Sequence, residues 1–148
     1  SDVLADVTSV YVTHNRTTAR AIADRIAVMF DGSIVQTGTP RTVFERPESK
    51  RVARFTGSNT IDLDRAPSLR EYLDGTEAAT IAIRPEAIEI AERNGGLEGT
   101  IRRVVQEDAT SRVTIAIDEV DVEAFAETPP SPGDTVDISI PLDRVTEL

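Results

Sequence analysis

The chain of 148 residues contains no cysteine and no tryptophan. The first absence excludes disulfides and thiolate metal sites. Aromatic residues make up only 4%, which leaves few platforms on which a nucleic-acid base could stack. There is one lysine, Lys50, one histidine, His14, and one methionine, Met29. No apolar run approaches the ~18 residues of a membrane-spanning helix. Nothing at the start reads as a secretory signal, so a cytosolic location is expected.

What the chain has in excess is acid. Twenty-six Asp and Glu against sixteen Lys and Arg give a net charge of -10. Dense negative charge with almost no lysine suits a salt-rich cytoplasm, where such charge is screened; a genome rich in G and C would also replace lysine with arginine. The charge is uneven. Residues 1–57 carry six acids and eight bases, a balance of +2, whereas residues 58–148 carry twenty acids and eight bases, a balance of -12. This break places a boundary near Gly57. It also argues against an oligonucleotide-binding role for the second half, because phosphate backbones require Lys and Arg.

Val10-Tyr11-Val12 is a short β-prone run, and a strand is expected from about Ser9 to Thr13. His14 stands just past its end, where open α/β sheets meet their ligands. A lone histidine there also suits a plain strand-capping role, the commoner outcome on spacing alone. Asn15 is a good N-cap for a helix running to about Asp24, with Ala19, Ile22, Ala23 and Ile26 as its apolar face. Ile26, Val28 and Phe30 alternate in a strand, Asp31-Gly32 signals a two-residue hairpin, and Ile34-Val35 begins the return. Thr39-Pro40 starts a helix that must end near Arg46, before Pro47. Ser49 caps another, with Val52, Ala53 and Phe55 inward and Gly57 past its end.

Residues 59–75 read as a polar connector with one short helix around Leu69 to Leu73. The pattern then becomes β, with strands expected at Thr80 to Ile83, Leu97 to Val105, around Val113 to Ile117, at Val120 to Phe125 and around Val136 to Ile140. Asn94-Gly95-Gly96 reads as a turn. Five or so short strands separated by turn signals suggest a small barrel.

Tyr11 to Gly57 resembles the end of the nucleotide-binding domain of an ABC transporter ATPase. Val12-Thr13-His14 is similar to the switch-histidine segment, and Asp24 to Pro40 to the segment after it. The family usually has Asp where this chain has Asn15 and an acid where it has Thr18. Both departures weaken a capping box rather than the histidine chemistry. Ala82-Ile83-Arg84-Pro85-Glu86, Leu97-Glu98-Gly99-Thr100-Ile101 and Gly133-Asp134-Thr135-Val136 with Ser139-Ile140-Pro141 resemble the TOBE domain, an OB-like β module found behind the ATPase domain of many importers. The resemblance implies an α+β chain: the truncated α/β end of an ABC ATPase domain over residues 1–57, a connector over 58–79, and a small OB-like antiparallel β-barrel over 80–148.

The same resemblance implies roles. In an intact subunit His14 would contact the γ-phosphate of ATP and help position the attacking water and the partner subunit. ATP and Mg would be bound there; none is expected on this chain alone. It has no G-x-x-x-x-G-K followed by Ser or Thr to cradle phosphates, and no Leu-Ser-Gly-Gly-Gln signature. Transmembrane permease subunits and a second ATPase subunit are the implied partners, with the protein peripheral on the cytoplasmic face of the cell membrane and no nucleic acid bound. A stand-alone TOBE-type binding module is the other reading. Ala91-Glu92-Arg93-Asn94 is similar to the Ser-Ala-Arg-Asn segment of molybdate-binding modules, so Arg93 and Asn94 are candidates for an oxyanion such as molybdate or tungstate. The plain alternative is the polar shoulder of a Gly-Gly turn. Ala82 to Glu86 and a short tail lean towards an oxyanion importer, with a sugar or another solute as the alternative. A hydrolase built on His14 alone finds no assignable nucleophile.

Overall fold

A computed structural model describes residues 8–91 and 96–148. Helix α1 spans Arg16–Ile22 and begins as the sequence dictates, with the Asn15 side chain accepting from the Thr18 amide at 3.0 Å. Strands β1 (Ile26–Phe30) and β2 (Ser33–Gly38) form the expected hairpin. Asp31 and Gly32 both have positive φ, 52° and 79°, the signature of a type I′ turn whose twist matches paired strands. Helices α2 (Pro40–Glu45) and α3 (Lys50–Phe55) are capped by Thr39 and Ser49. Helix α3 closes in a Schellman motif: Ser58 N–H donates to the Ala53 carbonyl at 2.9 Å and Gly57 N–H to that of Arg54 at 3.1 Å, with Gly57 at φ 89°.

Val28, Val43, Phe44 and Val52 form a small core for this region, with Ile26 and Phe30 against it. The Gln36 amide is buried beside it and satisfied twice, donating to the Arg46 carbonyl at 3.1 Å and accepting from the Glu48 amide at 2.8 Å. One side chain thus secures the α2–α3 turn around Pro47.

Three expectations fail here. Residues 9–13 form no strand; Val10 is 92% and Val12 89% exposed. A strand needs a neighbour for its backbone groups, and no described strand pairs with this one. Helix α1 ends at Ile22 and buries no residue, so the Ala19 and Ile22 face covers no core. Phe55, expected inward, is 39% exposed and packs edge-on against Phe30 at 5.5 Å between ring centres.

The second half carries the main core. Strands β3 (Asn59–Asp62), β4 (Thr80–Ile83) and β10 (Thr146–Glu147) form an antiparallel sheet of order β10-β4-β3. Strands β5 (Glu89–Ala91), β6 (Leu97–Glu107), β7 (Thr110–Ile117), β8 (Val120–Ala126) and β9 (Thr135–Ser139) form another, of order β5-β9-β6-β7-β8. Strand β7 alternates as its sequence does, with Ser111, Val113, Ile115 and Ile117 inward. The fold is the antiparallel, OB-like type expected. Edge strands β5 and β8 approach each other without pairing, and the 3-10 turn Pro85–Ala87 lies against β8. Among the described residues no ladder closes a barrel.

Segment 58–79, read as a connector, enters this core. Ile61, Leu63, Ala66 and Leu69 are buried in the cluster that holds Ile115 and Ile138. Helix α4 (Pro67–Tyr72) has no side-chain cap of its own N-cap residue. Asp118, in the β7–β8 turn, supplies one from a distance: its carboxylate accepts from the Ser68 amide at 2.7 Å and hydroxyl at 2.9 Å. Asn59 likewise joins the sheets, donating to the Glu123 carbonyl at 2.9 Å and accepting from its amide at 2.8 Å.

Candidate functional site, an arginine-lined cleft

The two halves meet along a cleft of about 450 Å³ lined by α1, α2, the end of α3, the start of the Pro85–Ala87 turn, β7 and β8. Four arginines enter it: Arg16, Arg20, Arg84 and Arg112. In a chain of net charge -10 this is a local reversal of sign.

Arg84 is the best held. It follows β4 directly, its side chain is only 11% exposed, and it donates to the Thr56 carbonyl and, at 3.0 Å, to Glu86. Arg20 approaches the same Glu86 oxygen at 3.6 Å. The guanidinium carbons of Arg20 and Arg84 both stand over the Phe44 ring, 4.9 and 5.5 Å from its centre, an attraction that steadies cations on an aromatic face. Arg16 donates to the Phe55 carbonyl at 2.9 Å. A side chain at Gly57 would bring Cβ to 3.0 Å from Arg16 Nη1, at a φ that favours glycine. Arg112 lies at the other end, donating to Glu107 at 2.9 Å and to Glu123 at 2.6 Å, with Phe125 4.9 Å beneath it.

Burial alone would raise the Glu86 carboxyl pKa. A backbone hydrogen bond, the Arg84 hydrogen bond and the positive charges of Arg84 and Arg20 outweigh it and hold the group below its ordinary value. The paired glutamates Glu107 and Glu123 raise Arg112.

Of the candidates named from sequence, only His14 is among the described residues. His14 is exposed, one residue before the α1 cap, and is not among the residues lining the cleft, although Arg16 and Thr17 of the same segment are. Arg93 and Asn94 lie outside the described residues. The cleft arginines went unnoticed because they come from separate places in the chain. Only Arg84 sat in a motif, and no local spacing signals that β4 and α1 converge.

A second contact ties the halves together. Arg46, at the end of α2, donates to the Val145 carbonyl at 3.0 Å, to the Thr146 hydroxyl at 3.1 Å and to the Asp143 carbonyl. Arg144 returns to Glu45 at 2.8 Å.

An antiparallel β domain of OB-like type is thus strapped to a helix–hairpin–helix unit. Residues 81–146 match the TOBE domain family, and the homologues of the chain are ATP-binding subunits of ABC importers, matched in their C-terminal region. The chain is 35% identical over 107 residues to the xylose/arabinose import ATP-binding protein of Haloferax volcanii, covering 61% of this chain and 28% of that one. It is 32% identical over 160 residues to an Fe(3+) ions import ATP-binding protein of Rhodococcus jostii, covering 95% and 46%. It is 32% identical over 143 residues to the spermidine/putrescine import ATP-binding protein of Thermobifida fusca, covering 80% and 37%. The chain thus spans less than half the length of these relatives.

Proposed function

We propose that the chain is the C-terminal part of the ATP-hydrolysing subunit of an ABC importer, with residues 1–57 ending the nucleotide-binding domain and the β domain from about residue 80 acting as its regulatory module. The observation that carries this is the joint match of both halves to import ATP-binding proteins, with one relative aligned along 95% of the chain. The residues present do not fit ATP by themselves, since no phosphate-cradling loop is among them. ATP and Mg belong in this reading to the full-length subunit, which works as a dimer beside permease subunits on the cytoplasmic face of the membrane. Among the described residues no helix is long and apolar enough to cross a membrane. An exposed His14 ahead of a capped helix is in keeping with a group that acts on a ligand held by other parts of the subunit.

The test is ATP turnover. The 148-residue chain is expected to show none, and His14→Ala in the full-length subunit is expected to lower turnover about a hundredfold or more, the usual effect of losing one polar group aimed at developing charge. Turnover by the short chain, or an unaffected His14 variant, would sink the reading. Light scattering of the full-length subunit with ATP is expected to give twice the monomer mass.

The solute is a separate matter. An oxyanion such as molybdate or tungstate rests on Arg93 and Asn94 and on the Ala82 to Glu86 segment, and the three relatives are named for xylose/arabinose, Fe(3+) ions and spermidine/putrescine. Full-length protein reconstituted with its permease should accumulate labelled molybdate if the oxyanion reading holds; accumulation of a pentose, ferric ion or polyamine instead overturns it.

We also propose a salt-rich setting, supported by the -10 charge, the single lysine and one relative from Haloferax volcanii. Screening relieves the repulsion within the acidic half. The thermal midpoint of the chain is therefore expected to climb steadily from low salt to molar salt. A midpoint that stays level across that range overturns the proposal.

A further inference from the structure

The charges in the cleft do not cancel evenly. At one end Arg112 sits between two carboxylates, Glu107 and Glu123. At the other, Arg20 and Arg84 share a single carboxylate oxygen of Glu86, and Arg16 is met by a carbonyl. Among the described residues, three guanidinium groups there face one negative charge. The surplus of two lies in a cleft whose other walls include Phe44, Pro85 and Ala21. Arg84 is held in place, because its Nε donates to Glu86, its Nη1 to the Thr56 carbonyl, and its side chain is buried. Arg20 is steadied on Phe44. The donors are therefore in place before any ligand arrives, which lowers the ordering cost of binding.

We propose that this cleft is a binding site for a compact dianion, of the phosphate or dicarboxylate kind, held chiefly by Arg16 and Arg20 with Arg84 behind them. Guanidinium forks match the oxygen spacing of both groups and bind them through charge-assisted hydrogen bonds. The volume of about 450 Å³ admits a small organic anion rather than a polymer. Because the cleft is lined by α1 on one side and by Arg84, Pro85, β7 and β8 on the other, an occupant would bridge the two halves of the chain. The site stands on the residues of this chain alone, whether or not the chain serves an importer.

Calorimetric titration of the 148-residue chain decides the matter, with inorganic phosphate and succinate as separate probes in chloride at a constant ionic strength of about 0.1 M. Saturable binding of at least one probe is expected, weakened about ten- to a hundredfold by Arg16→Gln and by Arg20→Gln. Phosphate alone would mark a tetrahedral ligand, and both probes a site that reads charge and size. Arg103→Gln, exposed on β6 and outside the cleft, is expected to bind as the parent does. The first two substitutions are at exposed positions of α1, and unchanged melting would confirm that they fold; should Arg20→Gln unfold, Arg16→Gln decides alone. Absence of saturable binding at millimolar probe, equal affinity in the cleft variants, or an equal loss in Arg103→Gln each overturns the site.

Discussion

Gly99→Val is expected to abolish folding or to lower the thermal midpoint by about 10 °C or more, the effect of overpacking worth about 3 kcal/mol in a chain of this size. Gly99 lies in the middle of β6, in the Leu97 to Ile101 motif. Its backbone has no special φ, so conformational freedom does not explain it. Space does. A Cβ built there would lie 2.5 Å from Ile115 Cγ2 and 2.6 Å from Ile138 Cδ1. Ile115 and Ile138 are fully buried. They come from β7 and β9, the two neighbours of β6, so neither can withdraw without opening the sheet. Gly99→Ala adds one carbon and is expected to cost less, about 1–3 kcal/mol, partly offset because alanine restricts the unfolded chain. Thermal melting of both variants measures the effect. A valine variant that melts with the parent would show that the two isoleucines have other rotamers open to them.

Leu69→Ala is expected to cost about 2–5 kcal/mol, the range for truncating a fully buried leucine. Leu69 is 0% exposed and belongs to the same cluster as the β6, β7 and β9 side chains. The size of the loss separates two ideas about residues 58–79. If the segment is a detachable linker, α4 frays locally, global stability changes by less than about 1 kcal/mol, and the β strands keep their amide protection. If it is structural, urea unfolding shifts by the full amount and β7 loses protection together with α4. The second outcome is expected, because Asp118 caps α4 from the β7–β8 turn, while Arg65 donates to the Glu119 carbonyl at 3.0 Å and its own carbonyl accepts from the Glu119 amide at 3.1 Å.

Much of this molecule was legible in its local sequence. Asp31-Gly32 required a type I′ hairpin because few other residue pairs tolerate two positive φ angles. Thr39-Pro40 and Ser49 marked helix starts because their side chains satisfy amides that no other local group can reach. Val113, Ile115 and Ile117 announced a half-buried strand through a period of two. These are short-range constraints, and the sequence order of the motifs was enough to indicate an ABC ATPase end followed by a TOBE domain. Where partners are distant, the same reasoning failed. Ser9 to Thr13 has strand composition and, among the described residues, no strand to pair with. Ile61, Leu63 and Leu69 looked like stray apolar residues in a polar connector until β4 and β7 covered them. The three short strands β3, β5 and β10 depend on ladders to residues far along the chain, and two to four residues carry too little periodicity to declare themselves. His14 could be singled out because it is unique in composition. The cleft could not, because Arg16, Arg20, Arg84 and Arg112 are ordinary arginines in sequence and become a concentrated positive charge only when the tertiary fold gathers α1, β7 and the residue after β4 around one cleft.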